Sequence, residues 1–212
     1  MKMARVYNNE DSDDDSGDTM GEDNIRISGN RIYFSADIDQ STALDFNMKL
    51  DQVVSRTLRD AFMARQNPPP IHVYIHSHGG CVHSGLSMMD HIANCPVEVY
   101  TYGDGLVASA ATLMLLAGTK KYMYPSTRVL IHSISTTFWG KFEDLKDEVS
   151  NIDDLMKTLK KVYTTYANIP EDKLERLLTR ELYLSGEQCV EYGIVDELVD
   201  NTHIRKIKVF NG

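Results

Sequence analysis

Cysteine is scarce in this chain: Cys81, Cys95 and Cys189 are the three among 212 residues. They are odd in number and never at CxxC spacing, which excludes a disulfide framework and suits reduced thiols in the cytoplasm. Long hydrophobic runs are missing too. The longest, GLVASAATLMLLAG from Gly105 to Gly118, is shorter than the ~20 helical residues a bilayer requires and is broken by serine and threonine. The start, MKMARVYNNED, lacks the apolar stretch of a secretory signal, so a soluble protein is expected. Net positive charge is absent as well. A formal charge of −9 argues against nucleic acid or an anionic membrane surface as partner.

That negative charge is concentrated at one end. Residues 1–24 hold eight acidic and two basic side chains, −6 of the −9, which leaves the body near neutrality. The run NNEDSDDDSGDTMGEDN has no apolar periodicity and cannot bury enough surface to offset its ordering entropy. Residues 1–24 are therefore predicted to be a disordered acidic tail, solvated in the simplest case, with a docking role as the alternative. Residues 25–212 have the length of one domain, which at this size buries about 70% of its unfolded surface.

Histidine is clustered. Five of seven, His72, His76, His78, His83 and His91, fall within twenty residues around the stretch YIHSHGGCVHSG, which raises a metal site as a question. His76 and His78 share a strand face, but no third ligand stands at a recognised spacing. The expectation is no metal and no organic cofactor.

Periodicity sets the elements. IRISGNRIYFSADI alternates about a Gly29-Asn30 turn and predicts a hairpin or two short strands. From an N-cap at Ser41, apolar residues recur every three and four through Phe62, a helix that Pro68-Pro69-Pro70 closes. IHVYIHS is a strand with Ile71, Val73 and Ile75 on one face; a helix follows Gly79-Gly80 to about Asn94; VEVYTY is a further strand. YGDG reads as a turn opening an apolar helix that ends at Gly118. Then come strands KYMY and RVLIHSI, a long charged helix from Phe142, a short helix around Leu174, a capping box Ser185-x-x-Gln188 on a helix ended by Gly193, and a strand IVDELV. Strands alternating with helices imply an α/β domain with a largely parallel sheet, whose ligands sit where strand C-termini meet helix N-termini.

Three such positions carry reactive groups. Ser109 is placed by this reading in the first turn of an apolar helix, where free amides and the macrodipole favour a developing negative charge; a capping or packing serine is the alternative. His132 follows RVLI, where a core histidine is the usual finding and a general base the rarer one. The Gly79-Gly80 pair admits φ > 0 and close backbone approach, which an oxyanion pocket and an ordinary tight turn need alike.

Taken in order, YIHSHGGCVHSG, GLVASAA, STRVLIH and ELYLSGEQCVEYGIVDEL resemble the proteolytic subunit of the Clp protease, a serine peptidase, over roughly residues 25–199. The resemblance implies the crotonase-like fold of repeated strand-turn-helix units with a protruding helix-strand handle. By position it implies Ser109 as nucleophile, His132 as base, the backbone amides of Gly80 and Ala110 as oxyanion donors, and Glu181, forty-nine residues after His132, where relatives carry aspartate. Asp172 is the rival acid, though the start of a helix already accounts for it. It also implies homo-oligomeric rings, sevenfold and stacked in pairs, cleaving unfolded polypeptides or peptides, with an ATP-driven AAA+ unfoldase as a candidate partner. A noncatalytic ring subunit and an acyl-CoA hydratase or isomerase of the same fold class are the rival functions. The chain departs from the pattern at His78, where relatives have proline, and at SISTTFWG, where they have Gln-Pro and a glycine pair.

Overall fold

The computed structural model describes residues 24–199. All but the last residue of the expected acidic tail, and residues 200–212, lie outside the described residues.

Two strands, β1 (Ile25–Ser28) and β2 (Arg31–Ser35), form the predicted antiparallel hairpin, with Gly29 at φ +60° in the turn. A helix, α1 (Gln40–Ala64), crosses back to β3 (Ile71–Ser77), which pairs parallel to β2. Its cap is Asp39 and not the expected Ser41: the Asp39 carboxylate accepts the Thr42 N–H at 2.7 Å, and Thr42 Oγ1 accepts the Asp39 N–H at 2.9 Å. That reciprocal box fixes where an extended chain becomes a helix. The helix stops before the prolines, at Arg65 in the left-handed region (φ 54°, ψ 43°).

The next unit runs through α2 (Val82–Ala93) to β4 (Val99–Ala108). Here the structure corrects the predicted turn. YGDG does not end the strand: Gly105 at φ +75° redirects it, and β4 pairs parallel with β5 (Lys120–Met123) through residues 100–103 and with β6 (Arg128–Leu130) through residues 106–108. Two sets of ladder bonds outweigh the local turn propensity of Gly-Asp-Gly. The helix that follows, α3 (Ala111–Leu116), is correspondingly short, and every one of its residues is buried.

After β6 come α4 (Phe142–Tyr166), α5 (Glu171–Leu178), β7 (Tyr183–Leu184), α6 (Gly186–Glu191) and β8 (Glu197–Leu198). The sheet order is β1-β2-β3-β4-β5-β8, with β6 beside β4 and β7 antiparallel to β6. The predicted Ser185–Gln188 box and the left-handed Gly193 (φ +64°) bracket α6.

One sheet face carries Ile32, Phe34, Ile71, Val73, Ile75 and Val99, and α1, α2 and α3 contribute Phe46, Leu50, Met88 and Leu113 to Leu116 to the same core. Burying a Leu, Ile or Phe side chain is worth about 1.5–3 kcal/mol each, so this layer dominates stability. In α4 only Leu159 and Tyr163 are buried, so the front two-thirds of that helix projects from the body, with Phe142, Leu145 and Val149 exposed. This is the handle.

Candidate active site

Sheet register brings the reactive groups together. β4 and β6 pair Val107 with Val129 and Ala108 with Leu130, and the Ser109 N–H continues the ladder by donating to Leu130 O at 2.8 Å. A serine just past the end of β4 and a histidine just past the end of β6 therefore leave the sheet side by side. Ser109 lies in the turn between β4 and α3, and not in a helical first turn as expected, with φ +54°. A left-handed non-glycine residue costs on the order of 1–3 kcal/mol and persists only where its surroundings impose it. Here the ladder bond holds one side, and Thr112, whose N–H and Oγ1 both donate to Ser109 O (3.0 and 2.7 Å), holds the other. Strand-turn-helix strain of this kind lifts a serine hydroxyl clear of the backbone.

Thr112 is itself positioned from the buried end of α4. Tyr163 Oη lies 2.6 Å from Thr112 Oγ1, and since that hydroxyl donates to Ser109 O, the tyrosine donates to it. Tyr163 is buried, and the loss of water pushes its phenol up to about 12, so it remains a donor at any ordinary pH.

The glycine turn closes the opposite wall. Ser77, buried at the end of β3, accepts the Gly79 N–H at 3.0 Å through Oγ. Ile38 then clamps the turn from outside: its N–H donates to Gly79 O, and its carbonyl accepts the Cys81 N–H, both at 2.7 Å. No peptide bond is cis, so the Gly80 N–H points opposite to the Gly79 carbonyl, away from Ile38. Among the described residues nothing accepts from the Gly80 N–H or from the Ala110 N–H. Both glycines need φ > 0, at +94° and +140°, and neither leaves room for a side chain. A Cβ on Gly79 would sit 2.6 Å from Ala108 O and 2.7 Å from Ser109 Cβ, and one on Gly80 would sit 2.2 Å from Ile38 O.

These walls enclose a cavity of about 180 Å³ lined by Ser109, His132, Gly80 and Ala110, with Val82, Leu113, Ile134, Leu159 and Tyr163 as its apolar sides and His78 at its edge. The arrangement holds a hydroxyl, an imidazole and two unengaged amides around one space, the set that acyl transfer uses. No hydrogen bond joins Ser109 to His132 among the described residues. Such bonds are commonly long in unliganded enzymes and tighten when substrate arrives.

Comparison with known proteins gives this geometry a family. A sequence model described as Clp protease matches residues 30–202. The chain belongs to the Clp protease family. The ATP-dependent Clp protease proteolytic subunit of Deinococcus radiodurans is 32% identical over 140 residues, 65% of this chain and 69% of that one. The subunit of the same description from Bdellovibrio bacteriovorus is 33% identical over 151 residues, 68% of this chain and 71% of its own. A solved structure of a ClpP1 mutant from Listeria monocytogenes superposes with a TM-score of 0.70 at 24% identity, covering 82% of this chain and 94% of that one, and it shows the shared fold.

Of the five residues that the resemblance singled out in this chain, four line the cavity and Glu181 does not. Glu181 is exposed, between α5 and β7, and no hydrogen bond links it to His132 among the described residues. Register nonetheless relates the two. β6 and β7 pair Val129 with Leu184 and Leu130 with Tyr183, where the ladder ends; continued by two steps it would set His132 opposite Glu181, on the same face. Past that ladder the Ser133 N–H donates instead to Leu178 O at the end of α5, at 2.8 Å. Asp172 lies in the first turn of α5, where the helix dipole accounts for it.

The histidines of the glycine stretch are engaged separately. His72 Nδ1 meets Tyr102 Oη at 2.9 Å, His76 Nδ1 meets Asp104 O at 2.8 Å, and His91 Nε2 meets Asp51 at 2.9 Å. Among the described residues no group of three or more His, Cys, Asp or Glu is placed to hold a metal ion. No helix among them is long and apolar enough to cross a membrane.

Sequence reasoning singled out the Gly79-Gly80 pair but missed Ser77 and the Tyr163–Thr112 pair as positioning groups. It also missed the outer face of β3, where Tyr33, Tyr74, Tyr102 and Tyr122 stack across four strands at centroid spacings of 4.9, 4.6 and 5.0 Å. Only the buried half of each strand's alternation had been used.

Proposed function

We propose that this protein is a serine endopeptidase that cleaves unfolded polypeptides or peptides through an acyl-enzyme. The observation that carries the reading is the convergence of Ser109, His132 and the unengaged amides of Gly80 and Ala110 on one cavity. His132 takes the hydroxyl proton as Ser109 attacks the scissile carbonyl, and the tetrahedral oxyanion is received by the two amides, each such donor being worth about 3 kcal/mol of barrier. His132 then protonates the leaving amine, and water repeats the sequence on the acyl-serine. In this reading Glu181, where relatives carry aspartate, is the carboxylate that orients the imidazole. The apolar wall of Leu113, Leu159 and Tyr163 suits an apolar side chain beside the cleaved bond.

The same reading includes rings, sevenfold and stacked in pairs, with an AAA+ unfoldase as the partner that delivers substrate. The uncovered apolar faces of the handle (Phe142, Leu145, Val149) and of α1 (Leu44, Met48, Phe62) support assembly, since solvated helices seldom expose so much. Residues 25–212 form the peptidase domain in this account and residues 1–24 its acidic tail.

The test is turnover of a short fluorogenic peptide and of an unfolded protein by the assembled chain. Ser109→Ala and His132→Ala are expected to abolish it. Glu181→Gln is expected to reduce it strongly while Asp172→Asn leaves it intact, with assembly checked for each. Loss on Asp172→Asn with full activity in Glu181→Gln would overturn the choice of acid.

A further inference from the structure

We propose that the acidic segment at residues 10–18 docks on a cationic groove at the end of α5, in its own subunit or a neighbouring one. The groove has a volume of about 320 Å³ and is lined by Lys173, Arg176 and Arg180 together with Leu177, Tyr183 and Tyr192. Lys173, Arg176 and Leu177 stand at i, i+3 and i+4 of one helical face, and Arg180 follows just past the helix end. Three like charges are thus collected on one wall.

No described carboxylate neutralises them. Among the described residues none of the three cations forms an ion pair, and the neighbouring acids are engaged or placed elsewhere. Glu175 is held by Lys160 at 3.4 Å, Glu171 and Asp172 occupy the opening turn of α5, and Glu187 accepts from Ser185 Oγ at 2.8 Å. Glu181 follows Arg180 but is not part of the groove lining. Crowded like charges at helical spacing repel by a few tenths of a kcal/mol per pair, which an incoming anion relieves.

The occupant is indicated by charge and by reach. Residues 10–18, EDSDDDSGD, carry six carboxylates and no cation, whereas the rest of the chain is close to neutral. Fourteen residue-to-residue steps lead from Glu10 to Asn24, where the described chain begins, and they span up to about 50 Å when extended. A domain of this size has a radius of gyration of about 16 Å, so the extended segment is longer than the body is wide, about 40 Å. Guanidinium forks donate two parallel hydrogen bonds to a carboxylate, and tethering replaces a bimolecular encounter with a local concentration on the order of millimolar. Each exposed pair is weak, so the contact must be multivalent and salt-labile.

The experiment is zero-length carbodiimide cross-linking of the full chain, read by peptide mass spectrometry, in about 0.02 M and about 0.5 M NaCl, where screening lengths are roughly 20 and 4 Å. A carbodiimide joins a carboxylate to an amine only when the two are in contact. The expected products link Lys173 to residues 10–18 at low salt and vanish at high salt. Arg176→Gln with Arg180→Gln, which leaves Lys173 in place, is expected to lower their yield about fivefold or more, as is Asp13→Asn with Asp14→Asn and Asp15→Asn. Circular dichroism of each variant confirms the fold. The proposal is overturned if Lys173 links to the segment no more than Lys146 of the handle does, or if salt and the arginine changes leave the yield unaltered. Neither result bears on peptidase activity.

Discussion

Replacing Gly79 by alanine probes the packing of the Ser109 turn more sharply than any change to Ser109 itself. The added Cβ would lie 2.6 Å from Ala108 O, 2.7 Å from Ser109 Cβ and 3.0 Å from Ala110 N, all in the backbone or first side-chain atom of the reactive turn. None of these is the far end of a flexible side chain, so the turn itself must move. The φ of +94° adds about 1–3 kcal/mol for an L-residue, and overpacking against a fixed wall about 1–3 more, for a total on the order of 2–6 kcal/mol. Gly29→Ala is the control. Its φ of +60° imposes strain of about 1–2 kcal/mol, but nothing lies within 4 Å of the new methyl. The strain is common to both, so the overpacking of about 1–3 kcal/mol sets the difference, and at about 2–4 °C per kcal/mol for a chain of this size Gly79→Ala should melt about 2–12 °C below Gly29→Ala by calorimetry. Where it still folds, peptide turnover should fall about a hundredfold, the usual effect of an ångström-scale misplacement. Equal melting temperatures and undiminished turnover for the two variants would refute the claim that Gly79 seats the Ser109 turn.

Tyr163→Phe removes a buried donor from Thr112 Oγ1 and should cost about 1–3 kcal/mol with a fall in kcat at little change in KM, whereas a purely structural tyrosine would leave kcat intact. Cys81 is exposed, and hydrogen bonding from Ser84 holds its thiol below the ordinary range, while burial pushes Cys189 up to about 12. Iodoacetamide at pH 7 should therefore alkylate Cys81 first, and earlier reaction of Cys189 by mass spectrometry would contradict the description. Burial, assisted by Arg31, lowers the His72 pKa below its ordinary 6.5, so the unfolded chain takes up a proton that the folded one resists. The stability it protects is complete above pH 6.5 and is lost as pH falls through the folded pKa. The melting temperature should accordingly fall less between pH 7.5 and 5.5 in His72→Gln than in the parent protein, and identical pH profiles would sink this assignment.

What the sequence disclosed and what it concealed divide along physical lines. The β1–β2 hairpin, the buried face of β3 and the box that starts α6 rest on contacts within a few residues, and they were legible because periodicity and capping are local. The length of β4 was not, because Gly-Asp-Gly has turn propensity and only pairing with two other strands overrides it. Ser109 was found from its surrounding octapeptide and its spacing to the other motifs, but its left-handed backbone depends on Leu130 and Thr112, which no local pattern reveals. Tyr163 acts on Thr112 across fifty-one residues, and the tyrosine stack exists only once four strands are in register. Glu181 is the intermediate case. Position in a motif named it and the β6–β7 register relates it to His132, yet its side chain stands exposed, outside the cavity.

The central claim is that Ser109 is an activated nucleophile, and a fluorophosphonate probe tests it most directly, because a serine beside a positioned base attacks phosphorus as it attacks a carbonyl. The assembled, folded protein should be labelled once per chain, with the adduct on the peptide that contains Ser109 and no adduct in His132→Ala. Absence of labelling in a folded, assembled sample, or an adduct on another serine, would contradict the account and favour a noncatalytic ring subunit.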